Sequence, residues 1–146
     1  MKVSDIMSIN PIRILSGSSM AEAAELAAVS NASGLFVVDD ENNFIGVLSE
    51  GDMMQLALPE MSAVMKEGGD LRSSYGIFSE KGASLGNDPI DNHLVKDPIT
   101  LDPDAPVLLA ATTMAMKKMR RLPVVKNGKL IGTISRGDIC KAVFTA

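Results

Sequence analysis

Two tetrapeptides of this chain carry a hydroxyl and a carboxylate at one spacing: Ser49-Glu50-Gly51-Asp52 and Ser135-Arg136-Gly137-Asp138. Each follows an apolar stretch, "FIGVL" or "LIGTI", and runs into a helix-like one beginning near Asp52 or Asp138. Two chemistries are open at such a strand-to-helix corner. Ser and Asp are preferred N-caps, and a cap stabilises its helix by about 1 kcal/mol. Alternatively, the carboxylate accepts hydrogen bonds from a vicinal diol such as ribose, while the hydroxyl and helix N-terminus hold a neighbouring polar group or phosphate. The roles are compatible, since a capping group keeps spare acceptor capacity. The densest charge cluster, "KKMRR" at Lys117–Arg121, also has two readings. It is either a solvated helix end, where cations suit the dipole, or a phosphate contact, for which guanidinium is well shaped. Arg136 strengthens the phosphate reading in the second copy, and Glu50 at the matching position weakens it in the first.

Composition removes most other chemistry. His93 is the sole histidine and Cys140 the sole cysteine, so no zinc ligand set can be assembled. A Ser–His–Asp triad would need His93, in a linker-like region. Asp39–Glu41 reads as a hairpin turn, and Cys140 as a small packed residue of the last helix. No glycine-rich phosphate loop is present. A single cysteine excludes an internal disulfide framework and fits a reducing cytoplasm. No apolar run approaches membrane-spanning length, and the N-terminus lacks a signal-peptide pattern. Aromatics are 3% of the chain, too few for stacking to dominate binding. The net charge of −4 is unevenly spread: residues 1–88 hold five basic and thirteen acidic side chains, residues 89–146 nine and five. Duplex nucleic acid meets more basic, clustered faces than this; a small phosphorylated ligand fits better.

The elements around the two corners repeat. Ser49/Ser135 and Asp52/Asp138 are offset by 86 residues, whereas Pro11/Pro98, Ile12/Ile99 and Val37/Val124 are offset by 87. The slip falls in a turn, "DDENNF" against "KNGKL". Each copy, roughly fifty residues, orders a short strand, a helix, a strand pair and a final helix. Ser18 or Ser19 caps the first helix, with Glu22 at capping-box spacing from Ser19. Asp104 is expected to cap its counterpart, with Pro106 in the first turn. One copy is too small for a good core, so two are expected to pack through their sheets about a pseudo-twofold axis, creating two equivalent clefts. The expected organisation is a first repeat at 1–58, a helical insert or mobile linker at 59–89, and a second repeat at 90–146. Within the insert, helices are expected at Met61–Glu67 and from Asp70 to about Lys81, followed by a loop through Gly82, Gly86 and Pro89.

The pattern "NPIRI…AEAAELAA…FVVDD…FIGVLSEGDM", then "KDPITLDPDAPVLLAA…RLPVVKNGKLIGTISRGDI", resembles a tandem pair of cystathionine β-synthase (CBS) domains, a Bateman module, over nearly the whole chain outside the insert. The resemblance implies an α+β fold of two β-α-β-β-α repeats that binds AMP, ADP, ATP or S-adenosylmethionine between the copies. It implies that Asp52 and Asp138 hold ribose, with Ser49 and Ser135 beside them. Ile12 and Ile99 on the opening strands, then Gly34, Leu35, Arg120, Arg121, Leu122 and Pro123, are expected to line the adenine and phosphate pockets. Arg136 joins them from its charge and position. Copy one departs from copy two by lacking the basic pair and the proline, and copy two opens with "DNHLVKD" instead of the usual Asp-h-Met-Thr signature (h, apolar). The expectation is a non-enzymatic ligand sensor that requires no cofactor or metal, forms a homodimer through its helices, and acts on itself or on a separate effector. The competing expectation is a structural interaction module with empty clefts.

Overall fold

The computed structural model describes residues 1–32, 34–58, 71–95 and 97–146. The first repeat contains β1 (Arg13–Leu15), α2 (Met20–Ser30), β2 (Gly34–Val38), β3 (Phe44–Ser49) and α3 (Glu50–Ala57), after a short α1 (Val3–Ile6). Next come α4 (Leu71–Leu85) and a 3-10 turn at Ile90–His93. The second repeat contains α5 (Val107–Lys117), β4 (Arg121–Lys126), β5 (Lys129–Ser135) and α6 (Arg136–Phe144). The result is the expected mixed α+β pair of repeats.

Local sequence explains most of these elements. Ser19 accepts from the Glu22 N–H at 3.1 Å and Glu22 reaches back to the Ser19 N–H, the predicted capping box. The β2 run "GLFVV" is buried from Leu35 onward, and it lies between parallel β1 and antiparallel β3. The hairpin turn after β2 closes on Asp39, whose carboxylate accepts from the backbone of Glu41 and Asn43 and from the Asn43 amide.

Five local expectations are corrected. The last helix of each repeat begins at Glu50 and Arg136, two residues early, because Ser49 and Ser135 take the cap instead of Asp52 and Asp138. Asp104 does not cap α5: its N–H turns back to Asp102, and Pro106 stands at the cap position. The opening strand of copy two shrinks to one bridge, Leu101 to Val124, with Leu101 bonded to the Pro123 carbonyl and the Val125 N–H. Continuing that parallel ladder toward Ile99 needs an N–H from residue 123, which proline lacks. The insert helix α4 runs through Gly82 to Leu85 and packs along α3; the expected helix at 61–67 and the Asp70 cap lie outside the described residues. Cys140, expected to be packed, is exposed.

The two copies exchange their opening segments. Val3, fully buried, sits in the core of the second repeat with Leu122, Val124 and Ile134. Ile90, also fully buried, sits in the core of the first repeat with Leu35, Val37 and Leu48. The bonds match across the pseudo-twofold: Val3 N–H to the Ala105 carbonyl and Ile90 N–H to the Ser18 carbonyl, both 2.8 Å. Val107 donates to Met1, as Met20 donates to Asp88. A third apolar cluster, Phe36, Val38 and Leu130 with Phe44, Val47 and Val125, joins the two sheets. Phe44 N–H to the Gly128 carbonyl and Leu130 N–H to the Asn42 carbonyl stitch its edge.

Candidate functional site

Two clefts open between the repeats. The first, about 560 Å3, is bounded by Asn10–Ile12 before β1, Ser30–Ala32 after α2, Gly34 and Phe36 on β2, Arg120 and Arg121 before and on β4, and Ser135–Gly137 at the start of α6. The second, about 680 Å3, draws on Ser49–Gly51 and Met54 of α3 and on Lys118–Arg121 after α5. These sets are pseudo-symmetric: Asn31 corresponds to Lys118, Gly34 to Arg121 and Glu50 to Arg136. Asn31 and Lys118 end their helices in the left-handed conformation, with φ of 54° and 55°. That conformation suits Asn but costs a branched-at-Cβ or long residue about 1–2 kcal/mol, so Lys118 is held on the second cleft at some expense. Phe36, Arg120 and Arg121 border both clefts.

The corners behave differently in the two repeats. In α6 the Ser135 hydroxyl accepts from the Asp138 N–H at 3.1 Å, and the Asp138 carboxylate accepts from the Ser135 N–H at 2.9 Å. In α3 only the first half of this box forms, Ser49 accepting from Asp52 at 3.3 Å, and Asp52 is exposed. Capping is therefore a role that both Ser-x-x-Asp corners perform. It leaves one oxygen of the Asp138 carboxylate outside the box, with acceptor capacity to spare. Arg136 is oriented by its Nε, which donates to the Met119 carbonyl at 2.8 Å, and by its N–H to the Arg120 carbonyl. These bonds tie the start of α6 to the loop before β4.

The expected site residues do not all meet at the clefts. Ile12, Gly34, Arg120, Arg121, Ser135 and Arg136 meet at the first cleft; Ser49, Gly34, Arg120 and Arg121 meet at the second. Asp138 and Asp52 sit one residue beyond the cleft linings, on the first turns of α6 and α3. Leu35, Leu122 and Pro123 are corrected as side-chain contacts: strand alternation turns Leu35 and Leu122 into the cores, where they are at most 1% exposed, and Pro123, buried on the opposite face of β4 from Leu122, borders neither cleft. Ile99 is half-buried against the second core and borders neither cleft. Sequence reasoning overlooked Asn10, Asn31 and Met54 as lining residues and raised Lys118 only as part of the Lys117–Arg121 charge cluster. The 87-residue offset pairing Asn31 with Lys118, both just before a strand, was the signal available for two of them.

Among the described residues, no group of three His, Cys, Asp or Glu side chains gathers to hold a metal. His93 lies 3.2 Å from the Asp88 carboxylate in the turn before the second repeat, outside both clefts. No described helix is long and apolar enough to cross a membrane.

Comparison with known proteins agrees with this geometry. The CBS-domain family model matches residues 3–58 and 91–145. CBSX2 of Arabidopsis thaliana, a chloroplastic CBS domain-containing protein, is 29% identical over 134 residues, covering 86% of this chain and 56% of its own. Its crystal structure in complex with AMP superimposes with a TM-score of 0.74 at 26% identity, covering 99% of this chain and 96% of that one. The CBS domain pair of protein MJ0100, solved with 5′-methylthioadenosine and S-adenosyl-L-methionine, shares the fold at a TM-score of 0.68 and 22% identity, over 99% of this chain and 97% of that one. Uncharacterized protein MJ1225 of Methanocaldococcus jannaschii is 28% identical over 139 residues, which is 95% of this chain. The chain spans 41% of that relative's length, and 32% of the related MJ1404. With both repeats matched and the exchanged, pseudo-symmetric pair of sheets in place, the chain belongs to the CBS-domain family as a tandem CBS pair.

Proposed function

We propose that this CBS pair is a non-enzymatic regulatory module that senses a phosphorylated adenosine compound, AMP, ADP or ATP, in its first cleft. The carrying observation is the convergence of Arg120, Arg121 and Arg136 on a cavity of about 560 Å3, beside Ser135 at the N-terminus of α6. A volume in the range of about 300–1,000 Å3 is ordinary for a small-ligand pocket. Guanidinium groups suit phosphate, and the helix N-terminus adds favourable dipole and N–H donors. In this reading the Asp138 oxygen outside the capping box accepts from ribose, and the backbone near Ile12 and Gly34 borders the base. The AMP complex of CBSX2 supports the ligand class, and S-adenosylmethionine remains the alternative ligand within it.

The module is expected to act in the cytoplasm through association with a second copy or with a separate effector. Leu108 and Met116 on α5 and Val143 and Phe144 on α6 are apolar and well exposed, which suits a helical interface.

The capping box at Ser135–Asp138 favours a second reading, a structural interaction module in which the corner only holds α6. Calorimetry separates the two. Under the sensing reading, Asp138→Ala weakens nucleotide binding about ten- to a hundredfold, the worth of a charge-assisted hydrogen bond. A 2′-deoxy ligand should reproduce the loss in the unmodified chain. If Asp138→Ala lowers only the melting temperature and every adenosine compound binds as before, the cap is the whole role of Asp138. If no adenosine compound binds at all, the structural reading replaces the sensing one.

A further inference from the structure

Granted the adenosine-binding reading on which this rests, we infer that the two clefts take ligands of different charge: a phosphorylated adenosine compound in the first, and an adenosyl compound without phosphate in the second. The reason is a shared wall. Arg120 and Arg121 border both clefts, as do Gly34 and Phe36. The same two arginines therefore belong to the wall between the cavities.

What each cleft holds for itself differs. The first adds Arg136 and has no acidic residue among the described residues of its lining. The second adds Lys118 and Glu50, whose charges cancel. Once phosphates in the first cleft engage Arg120 and Arg121, the second retains no net positive charge of its own. A second polyphosphate would also stand against the same wall, where like charges repel. The second cleft compensates with apolar surface: Val47, Met54 and Met119 line it together with Phe36. The first presents Asn10, Ser30, Asn31, Thr133 and Ser135. An uncharged nucleoside or an adenosyl cation suits the second lining better than a nucleotide does, and Glu50 specifically favours the cation.

Equilibrium dialysis of the full chain with labelled ATP, adenosine and S-adenosylmethionine, singly and in pairs, tests this. The expected result is one tight ATP per chain, a second ATP at least about tenfold weaker, the effect of one charge-assisted bond, and a full equivalent of adenosine or S-adenosylmethionine still binding at saturating ATP. Glu50→Gln should tighten the second ATP by about two- to fivefold, the worth of an exposed charge pair. Arg136→Gln should weaken the first ATP about tenfold and leave adenosine binding in the ATP-saturated chain unchanged. Two ATP molecules binding with equal affinity, or one adenosyl molecule in total whatever the mixture, overturns the inference while leaving adenosine sensing intact. Failure of all three compounds to bind overturns both.

Discussion

The first and second repeats receive the same plug by different chemistry. In the second, the plug is the N-terminal segment, held by backbone bonds: Val3 to Ala105 at 2.8 Å, Ser4 to Pro103 at 2.9 Å, and Ser8 to Thr133 in both directions. In the first, the plug is the segment around Ile90. A backbone bond again fixes its centre, but the neighbouring anchor is a side chain, the Asp91 carboxylate, which accepts from the Ser16 hydroxyl and the Gly17 N–H. The difference follows from the receiving turns. Gly17 has φ +89°, a conformation glycine adopts without a Cβ penalty, and its N–H points at the carboxylate. The second repeat has Pro103 and Asp104 there instead. Neither core is complete without a segment numbered in the other copy, so the repeats are units of sequence but not of folding.

That conclusion is most exposed to core truncation. Leu35 and Leu122 occupy comparable buried positions beside the plugs. Leu35→Ala and Leu122→Ala should each cost about 2–5 kcal/mol, and each should leave a single urea-unfolding transition, because the damage in one repeat releases the plug of the other. A two-step curve for either variant, with one repeat surviving, would break the comparison. In conditions where both variants stay folded, nucleotide affinity should be unchanged, since both side chains point away from the clefts.

A smaller effect distinguishes how tightly each plug lies. Gly46 and Gly132 stand at matching points of β3 and β5. A Cβ on Gly132 would meet the Ser8 carbonyl oxygen at 2.7 Å and the Met7 sulfur at 2.9 Å. A Cβ on Gly46 would meet the Leu94 side chain at 3.2 Å. Backbone held by two hydrogen bonds cannot withdraw as a leucine rotamer can. Gly132→Ala should therefore cost about 1–3 kcal/mol, in the range of overpacking, and Gly46→Ala clearly less. Equal falls in melting temperature would show that the second plug has as much freedom as the first. Ser8 also borders the first cleft, so Gly132→Ala should disturb nucleotide binding as well.

Short-range features were legible in the sequence. The capping box at Ser19–Glu22, the turn at Asp39 and the paired strands rest on residues within a few positions of one another. The clefts were legible through the repeat, because two similar halves need a common face. The exchange of Val3 and Ile90 was not, since each apolar residue is as compatible with its own repeat as with the other. The starts of the last helices were missed by two residues because Ser and Asp are equally good caps, and only the three-dimensional turn decides between them. Leu35 and Leu122 were mistaken for lining because they adjoin lining residues in sequence, yet strand alternation sends neighbours to opposite faces. Pro123 was visible as a departure from copy one; its consequence, an opening strand reduced to one bridge, required knowing which carbonyl faced it.

The smallest predicted effect returns to the Asp91 anchor of the first repeat. The Ser16 hydroxyl above all holds the Asp91 carboxyl below its ordinary value of 3.8; burial pushes the other way, and the Gly17 N–H lowers it further. A folded-state value below the unfolded one means that the charged form stabilises the fold. That contribution is fully present above the unfolded value of about 3.9 and is lost as pH falls through the folded value. Because Asp91 is exposed, solvent screening limits it to the order of 0.5 kcal/mol. Asp91→Asn should lower the melting temperature slightly at neutral pH and by less as pH falls below the ordinary carboxyl value, so that the curves for variant and parent converge in acid. Amide exchange should locate the loss at residues 16–20 and 88–92, with residues 1–8 and 103–107 unaffected. A loss independent of pH would assign Asp91 a packing role, and equal loosening at both plugs would erase the distinction between them.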